Sequence, residues 1–391
     1  MTIIKTTVAC LLATCAFTAV SNAGGFSRGE ADTDILYEDG TFVVRGGATY
    51  VAPQRGYDSI GIANGTDGDF TENFTIPSVA AKFRFSDNFS CALSYTQPFG
   101  ADSEYGNQAQ AADRAADLVS VDWAFPTGNA VKSAGFDSDE YAGTCAVNFA
   151  VGRGEAYVIG GIFSQSFDYT ESKDFGTLNL KDDSALGYRI GAAYEIKEYA
   201  LRAQLLYRSE VEQKTEGVFT PSPTLLAYVP TLPATTTASG TGKLPQSMEF
   251  SLQSGIAPDW LAFGSVKWTD WSVLQTLDYN IVGLGDLKKN FYWRDGWTIT
   301  GGLGHKFNET VSGAASLTWD RGVGTGADIQ TDTWTVSAGA DIKAGPGTLR
   351  LGGAISYLTA GSQSVAKEAD FDATANGDWA YALSASYKIS F

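Results

Sequence analysis

The last thirteen residues, WAYALSASYKISF at 379–391, alternate between large apolar side chains and small or polar ones. Trp379, Tyr381, Leu383, Tyr387 and Phe391 share one face, and mainly alanine, serine and lysine fill the other. A period of two is the period of a β-strand whose two faces meet different surroundings. The pattern predicts a strand with one apolar face that continues to the final residue.

Thirteen similar stretches precede this one, separated by turn signals. The fourteen predicted strands lie near 42–53, 75–85, 89–99, 139–151, 156–170, 184–196, 199–212, 244–256, 260–272, 297–307, 310–320, 332–343, 348–358 and 379–391. Six connections are tight turns, and seven are longer, including 54–74, 100–138, 213–243 and 273–296. Short turns on one rim and long loops on the other are typical of outer-membrane barrels. We therefore predict an all-β fold, a 14-stranded antiparallel transmembrane β-barrel over 42–391.

Ionisable side chains fall on the second face of the predicted strands. Leu186 and Ile190 alternate with Arg189 and Glu195, for example. Burying such charges in a sealed core is costly, whereas a watery lumen solvates them. We therefore predict lipid outside the barrel and water inside. A large soluble sandwich is the alternative, but it leaves the alternating connection lengths and the terminal Phe391 unexplained.

Aromatic residues mark the predicted membrane boundaries. At the long-loop ends of their strands lie Trp268, Trp271, Trp319, Trp334 and Trp379, where a girdle at the lipid headgroups is expected. The only histidine, His305, shares a face with Leu303 and Phe307 near a short turn. We expect it at the membrane interface as an ordinary girdle residue.

The N-terminus predicts export. Residues 1–23 combine Lys5, an apolar stretch and the small residues Ser21 and Ala23, which is the pattern of a secretory signal peptide cleaved after Ala23. No later apolar run approaches the ~20 residues of a transmembrane helix. Without Lys5 the chain has 44 acidic and 26 basic residues, a net charge of −18, which excludes a general nucleic-acid or anionic-lipid binder. We expect the protein in the outer membrane of a Gram-negative bacterium.

Three segments resemble the FadL family of outer-membrane transporters: Gly24-Gly25-Phe26, YRSEVEQKTEG at 207–217, and LPQSMEFSLQSGIAPDWLAFGSVKWTDWS at 244–272. The resemblance implies a barrel that holds an N-terminal plug, here at 24–41. It implies passive uptake of long-chain fatty acids or similar hydrophobic molecules. Ligand would be captured on apolar outer loops, transferred to an internal pocket and released sideways near an inwardly kinked third strand. The chain departs from the family pattern in having a shorter plug without an Asn-Pro-Ala motif.

The outer loop 213–243 is the candidate for capture. Its apolar side chains lie between prolines and include Phe219, Leu225, Leu226, Tyr228 and Val229. Exposed apolar patches of this size usually bind something. The alternative is that the loop folds onto the barrel mouth. The loop 100–138 offers a short helix as a second wall of the groove, and packing between the loops is again the alternative.

A carboxylate inside the barrel would require a cation. Inward-facing candidates are Arg45, Lys82, Arg84, Arg189, Arg202, Arg208 and Arg350, of which we favour Arg189 and Arg202. Inward acids such as Glu195 and Glu249 make an ion-pair network the alternative. By resemblance to the family, Phe26 is the candidate plug residue that touches the inner pocket.

Cys91 and Cys145 face outward on the third and fourth predicted strands, and an oxidising compartment permits a disulfide between them. Bonding requires a register that brings their Cα atoms within about 7 Å. No residue spacing indicates a catalytic triad, a metal cluster or a phosphate loop, so we predict neither an enzyme nor a cofactor or metal. Expected partners are a hydrophobic ligand, outer-membrane lipid and lipopolysaccharide, with a monomeric chain and no nucleic acid. The rivals are a diffusion porin for polar solutes and a surface adhesin.

Overall fold

The computed structural model describes residues 25–61, 65–120 and 125–391; the predicted signal peptide at 1–23 lies outside them. Fourteen strands form the wall: β1 (Phe42–Gln54), β2 (Phe74–Ser86), β3 (Phe89–Thr96), β4 (Glu140–Val151), β5 (Gly154–Lys173), β6 (Gly176–Ile196), β7 (Leu201–Arg208), β8 (Ser247–Ala257), β9 (Trp260–Thr269), β10 (Gly296–Lys306), β11 (Val311–Asp320), β12 (Thr333–Ala344), β13 (Gly347–Leu358) and β14 (Asp378–Ser390). The predicted fourteen-stranded antiparallel barrel is confirmed.

The last strand closes the barrel against the first. β14 pairs with β13 on one side and with β1 on the other, in a register that runs from Val43 opposite Ser390 to Gln54 opposite Trp379. An open sheet edge in a bilayer would leave backbone groups without hydrogen bonds, at several kcal/mol each. Closure removes that cost, which is why the alternation of β14 persists almost to the last residue.

The hairpin of β5 and β6 extends beyond the wall on the long-loop side, where its two strands pair with strands of the long connections. The two strands contain 20 and 21 residues and are joined only by Asp174 and Phe175. The prediction of a long connection at 171–183 is wrong. The alternation continues there through Leu178 and Leu180, both buried, but the intervening residues are polar because they face water. The apolar periodicity therefore predicts strands that are shorter than β5 and β6 are.

The other long connections also contain strands. They are Gly100–Glu104, Val131–Asp137, Val211–Pro221, Thr236–Leu244, Thr276–Ile281 and Gly285–Asn290, which extend the main sheet to twenty strands. Four more, Gly56–Ile60, Gly65–Asp69, Gly361–Gln363 and Ala373–Ala375, form a separate sheet. The long-loop side is thus a folded layer above the barrel mouth.

Among the described residues, two α-helices lie in this layer, α1 (Asn107–Val119) and α2 (Pro223–Tyr228). Short 3-10 helices occupy Asp34–Tyr37, Lys197–Tyr199, Trp271–Val273 and Val365–Lys367. In the described part of the chain, no helix is long and apolar enough to cross a bilayer.

The predicted faces of the wall are confirmed. Leu186 is 77% exposed on the outer face of β6, whereas Arg189, on the other face of the same strand, is 3% exposed and points inward. Trp334 and Trp379 lie on the outer face as expected for a girdle. Trp271 does not: it is 0% exposed, because the chain leaves the wall after Thr269 and turns this ring into the loop layer.

Residues 25–41, here called the N-terminal segment, lie inside the barrel. Ile35 and Leu36 pack among buried inward-facing side chains of the wall. Ion pairs link Glu30 to Lys267 of β9, Asp34 to Arg202 of β7, and Glu38 to Arg45 of β1 and Lys388 of β14. The partners come from separate parts of the wall, so the segment contacts the wall on several sides.

Candidate ligand path

An apolar cavity of about 170 Å³ opens among the long loops; we call it the upper cavity. Its aromatic lining includes Phe26, Phe70, Phe136, Phe167, Phe291, Trp293 and Phe371. These side chains come from the N-terminal segment, from several different loops and, for Phe167, from β5. A concave apolar site with few polar groups is the usual form of a pocket for hydrophobic small molecules.

Phe26 lies in the aromatic lining of the upper cavity. Its ring centroid is 4.9 Å from that of Trp293, 5.6 Å from that of Phe136 and 6.1 Å from that of Trp271. The preceding Gly25 has φ of +84°, and a Cβ there would meet the indole of Trp271 at 2.9 Å. Glycine is therefore required for the backbone to deliver Phe26 to this place. Whether Phe26 touches ligand stays a prediction.

Charged residues also border the upper cavity; they are Lys243, Lys289, Asp328, Glu368 and Asp370. Lys289 lies 3.0 Å from Glu171 and 3.6 Å from Asp370. Burial alone would lower the pKa of Lys289, but the Asp370 and Glu171 carboxylates outweigh it and hold that pKa well above its ordinary value. The Trp293 Nε1–H donates to Asp328 Oδ2 at 2.7 Å, and burial still raises the pKa of Asp328 to about 7. Near neutral pH the charge on Asp328 can therefore change.

A second cavity, of about 370 Å³, lies between the N-terminal segment and the wall; we call it the lower cavity. Its charged lining consists of Arg28, Glu30, Asp32, Asp34, Arg45, Glu140, Arg189, Arg202, Arg208, Glu249, Lys267 and Arg350. Charge of both signs surrounds this space. An apolar chain entering it would have to displace water from those groups.

Both favoured cations line the lower cavity and both are paired. Arg189 forms an ion pair with Glu140 and donates to Thr144 Oγ1 at 3.2 Å. Arg202 lies 3.0 Å from Asp34, with its guanidinium 4.3 Å from the ring centroid of Tyr37. Buried cations normally need such partners. The geometry matches the ion-pair alternative, and a role for Arg189 and Arg202 in ligand binding stays a prediction.

The candidate capture residues belong to an apolar cluster of the loop layer that adjoins the upper cavity, since Tyr169 and Leu277 belong to both. Leu225 is 1% and Phe219 7% exposed, Leu226 and Val229 pack against them, and only Tyr228 is substantially exposed, at 39%. The Ser222 hydroxyl caps α2 by accepting from the Leu225 amide, which helps turn Leu225 inward. The loop thus folds onto its neighbours. Ligand capture by these residues stays a prediction, with Tyr228 the most accessible.

The wall has a break between β2 and the third strand. The two pair from Ser86–Phe89 up to Ser78–Thr96, and above the break Thr71 bridges to Ser103. Between these points, residues 74–77 pair only with β1 among the described residues. We call this break the wall window. The predicted third strand, 89–99, ends at Thr96 because Gln97–Phe99 turn inward.

The opposite side of the third strand is continuous. All eight residues of β3 pair with β4, and Cys91 lies directly opposite Cys145. The two sulfur atoms form a disulfide, with the Cα atoms 3.9 Å apart. A covalent link on the outer face therefore joins β3 to β4 below the wall window.

Among the aromatic side chains named above, only Phe26 was predicted from the sequence as a candidate site residue. Phe167 lies within the predicted strand 156–170, and the others lie in polar loops with no periodicity, where the available signal was large aromatic side chains in otherwise hydrophilic segments. Sequence reasoning also missed Arg28, which lies in a segment without a repeating pattern.

The chain is similar to known proteins over most of its length. Residues 32–391 match the family model described as outer membrane protein transport protein (OMPP1/FadL/TodX). A long-chain fatty acid transport protein of Escherichia coli is 24% identical over 327 residues, which cover 73% of this chain and 71% of that protein.

Solved structures with this fold include a FadL homologue of Pseudomonas aeruginosa, with a TM-score of 0.73, 14% identity, and coverage of 94% of this chain and 96% of that one. The toluene transporter TodX of Pseudomonas putida has a TM-score of 0.61 at 10% identity, and the match covers 94% of this chain and 97% of that one.

Proposed function

Because the chain belongs to the OMPP1/FadL/TodX family of outer-membrane transport proteins, we propose that it carries long-chain fatty acids or similar hydrophobic molecules passively across the outer membrane of a Gram-negative bacterium. The observation that carries the proposal is an apolar cavity at the mouth, placed above a charge-lined lumen and near a break in the wall. Ligand would enter at the apolar cavity and leave through the break in the wall.

The upper cavity supplies affinity without a reaction. Burial of apolar surface contributes about 25 cal/mol per Å², or about 0.8 kcal/mol per methylene group. A long alkyl chain is therefore stabilised in an aromatic-lined space, whereas an ordinary polar solute is not. The same argument makes uptake a matter of partition, with no need for an energy source.

The lower cavity makes a straight route to the periplasm unfavourable for such a ligand. An alkyl chain there would lie among guanidinium and carboxylate groups and would displace their water. Release through the wall window instead delivers the chain to lipid, where its apolar burial is retained. We therefore propose lateral release between β2 and the third strand.

A diffusion porin needs a continuous aqueous lumen, and ion pairs between the N-terminal segment and several parts of the wall argue against one here. Family membership favours hydrophobic uptake over that alternative. We further propose that the chain acts as a monomer surrounded by outer-membrane lipid and lipopolysaccharide, because its closed wall with an apolar outer face needs no second copy.

Uptake of radiolabelled oleate tests the proposal. Cells that lack their own fatty-acid transporter are compared with and without this protein in the outer membrane, with a small polar sugar as the control solute. We expect oleate to accumulate and the sugar to stay at background. Entry of sugar without oleate would show a porin and overturn the proposal.

A further inference from the structure

The N-terminal segment takes the place of a wall strand at the break. The Arg28 amide donates to the Pro98 carbonyl at 2.8 Å, the Gly29 amide to the Gln97 carbonyl at 2.8 Å, and the Gly100 amide to the Phe26 carbonyl at 3.0 Å. Ser27 and Phe99 form an antiparallel bridge. The inward turn of the third strand thus satisfies its backbone groups on the segment and not on β2, where an unpaired edge would be costly.

The Arg28 side chain also holds the N-terminal segment at the break. Its guanidinium donates to Asp102 at 2.9 Å and to Asp137 at 2.6 Å, and lies 4.1 Å from the ring centroid of Phe74. The Arg28 side chain is only 3% exposed, although both carboxylates are partly exposed. One residue therefore joins the N-terminal segment to the β2 edge and to two strands of the loop layer.

Close packing shows that the segment fills the wall window. A Cβ built at Gly29 would meet Thr96 Oγ1 at 2.4 Å and Ile76 Cγ2 at 2.9 Å, and one built at Gly100 would meet the Arg28 guanidinium at 2.5 Å. Ile76 and Thr96 lie on the two edges of the window. No molecule the width of an alkyl chain can pass while Arg28 and Gly29 occupy this position.

The two edges are poorly suited to pairing with each other. Extending the register beyond Ser78–Thr96 would put Pro77 opposite Gln97 and Pro98 opposite Ile76. Neither proline has an amide hydrogen to donate, so a ladder across the window would lack donors. Withdrawal of the segment would therefore leave the window open and not closed by re-pairing.

From these contacts we infer that Arg28 is the positioning residue that holds the N-terminal segment in the wall window, so that the third strand is released and the window opens when Arg28 leaves Asp102 and Asp137. The inference rests on the proposed lateral release. It adds the residue that controls release and the part of the segment that must move.

Hydrogen exchange on the purified barrel tests the inference without any transport. In Arg28→Gln, the amides of Gly29 and Gly100 should exchange about tenfold faster than in the native protein, because two charge-assisted hydrogen bonds are weakened and partly exposed partners reduce the effect. Arg28→Lys keeps the charge but not the two-pronged geometry and should give an intermediate rate. The matched control is Arg350→Gln, which removes a lumenal guanidinium paired with Asp341 on neighbouring strands.

A covalent trap tests the need for motion. Ser27→Cys with Phe99→Cys places two thiols at the bridge between segment and third strand. Oxidised protein should take up oleate at least about tenfold more slowly than the same protein after reduction, since one such factor corresponds to only 1.4 kcal/mol of extra barrier. The native chain with and without reductant controls for Cys91–Cys145, and mass spectrometry confirms the pairing.

The outcomes separate the two claims. Equal uptake by oxidised and reduced double variant, with active native protein, overturns the inference and leaves the proposed function standing. If the native protein itself does not take up oleate, the proposed function fails, and the exchange experiment still decides whether Arg28 holds the segment. Unchanged exchange at Gly29 and Gly100 in Arg28→Gln, relative to Arg350→Gln, would also overturn the inference.

Discussion

The upper and lower cavities belong to one chain but differ in the polarity of their linings. Aromatic rings from the loops dominate the upper cavity, whereas a dozen charged residues line the lower one. The N-terminal segment contributes Phe26 to the first and Ser27–Asp34 to the second. The boundary between the apolar and the polar space therefore falls between two consecutive residues of this segment, Phe26 and Ser27. Selectivity for hydrophobic ligands then lies in the loop layer and not in the barrel lumen.

The largest expected effect comes from making the upper cavity resemble the lower. Phe26→Asp puts a carboxylate against Trp293 and Phe136, where an alkyl chain would have to desolvate it at a cost of several kcal/mol. Oleate uptake should fall at least about thirtyfold, since each 1.4 kcal/mol is a factor of ten. Initial uptake rates in the transporter-deficient cells measure the change.

The matched control places the same carboxylate in the lower cavity. Ser384→Asp, on the inward face of β14, should change oleate uptake less than about twofold, because the proposed route touches the lower cavity only at its window edge, at Ile76 and Thr96, and does not pass β14. Similar losses in both variants would contradict the division between the two cavities.

The disulfide lies outside both cavities and tests the wall alone. Replacing Cys91 and Cys145 by serine removes a link across a sequence separation of 54 residues. The chain-entropy model assigns such a link about 4 kcal/mol of unfolding free energy. Denaturant unfolding of the purified barrel should show a loss of this order under oxidising conditions.

Ligand preference should not follow this loss of stability. At growth temperature the double serine variant should still take up oleate and exclude sugar, since neither sulfur lines a cavity. A variant that admitted sugar would show that the β3–β4 link also controls the lumen.

A smaller effect is expected from the ion pairs that hold the N-terminal segment over the lower cavity. Arg202→Ala removes the partner of Asp34 and the guanidinium that lies over Tyr37. Because Asp34 is partly exposed, we expect about 2 kcal/mol of destabilisation, below the 3–5 kcal/mol typical of a fully buried pair. A double-mutant cycle with Asp34→Asn, measured by denaturant unfolding, isolates the coupling. Additive losses would mean that this pair does not stabilise the docked segment.

The wall could be predicted from sequence because its physical signal repeats fourteen times. Each strand alternates between lipid-facing and lumen-facing residues, and one misplaced end does not change the count. Pro77 and Pro98 were the available signal for the wall window, since proline inside a predicted strand argues against regular pairing on that side. The inward turn itself depends on contacts with Ser27–Gly29, far away in sequence.

The upper cavity could not be predicted in the same way. Phe70, Phe136, Phe291 and Phe371 come from four different loops, and their meeting depends on the folding of the whole layer. The loop 213–243 left two alternatives open for a related reason: sequence does not show whether apolar residues between prolines are exposed, and in the structure Phe219 lies opposite Leu178 of β6 and is covered. Local composition does not reveal which loop surface a neighbour will bury.

The smallest expected effect is a pH dependence of the upper cavity. Burial raises the pKa of Asp328 to about 7, above the 3.8 of an unperturbed aspartate. The folded state therefore binds this proton more tightly than the unfolded state, so the contribution of Asp328 to stability is present at low pH and is lost as pH rises through about 7. Below that pH the cavity border also loses a negative charge.

An uncharged naphthalene-based fluorophore should bind about threefold more tightly at pH 6 than at pH 8, because less charge is desolvated. Titration of the purified barrel by fluorescence measures this difference, and Asp328→Asn, which keeps the acceptor for Trp293 but cannot ionise, should abolish it. A pH dependence that persists in Asp328→Asn would assign the effect to another group.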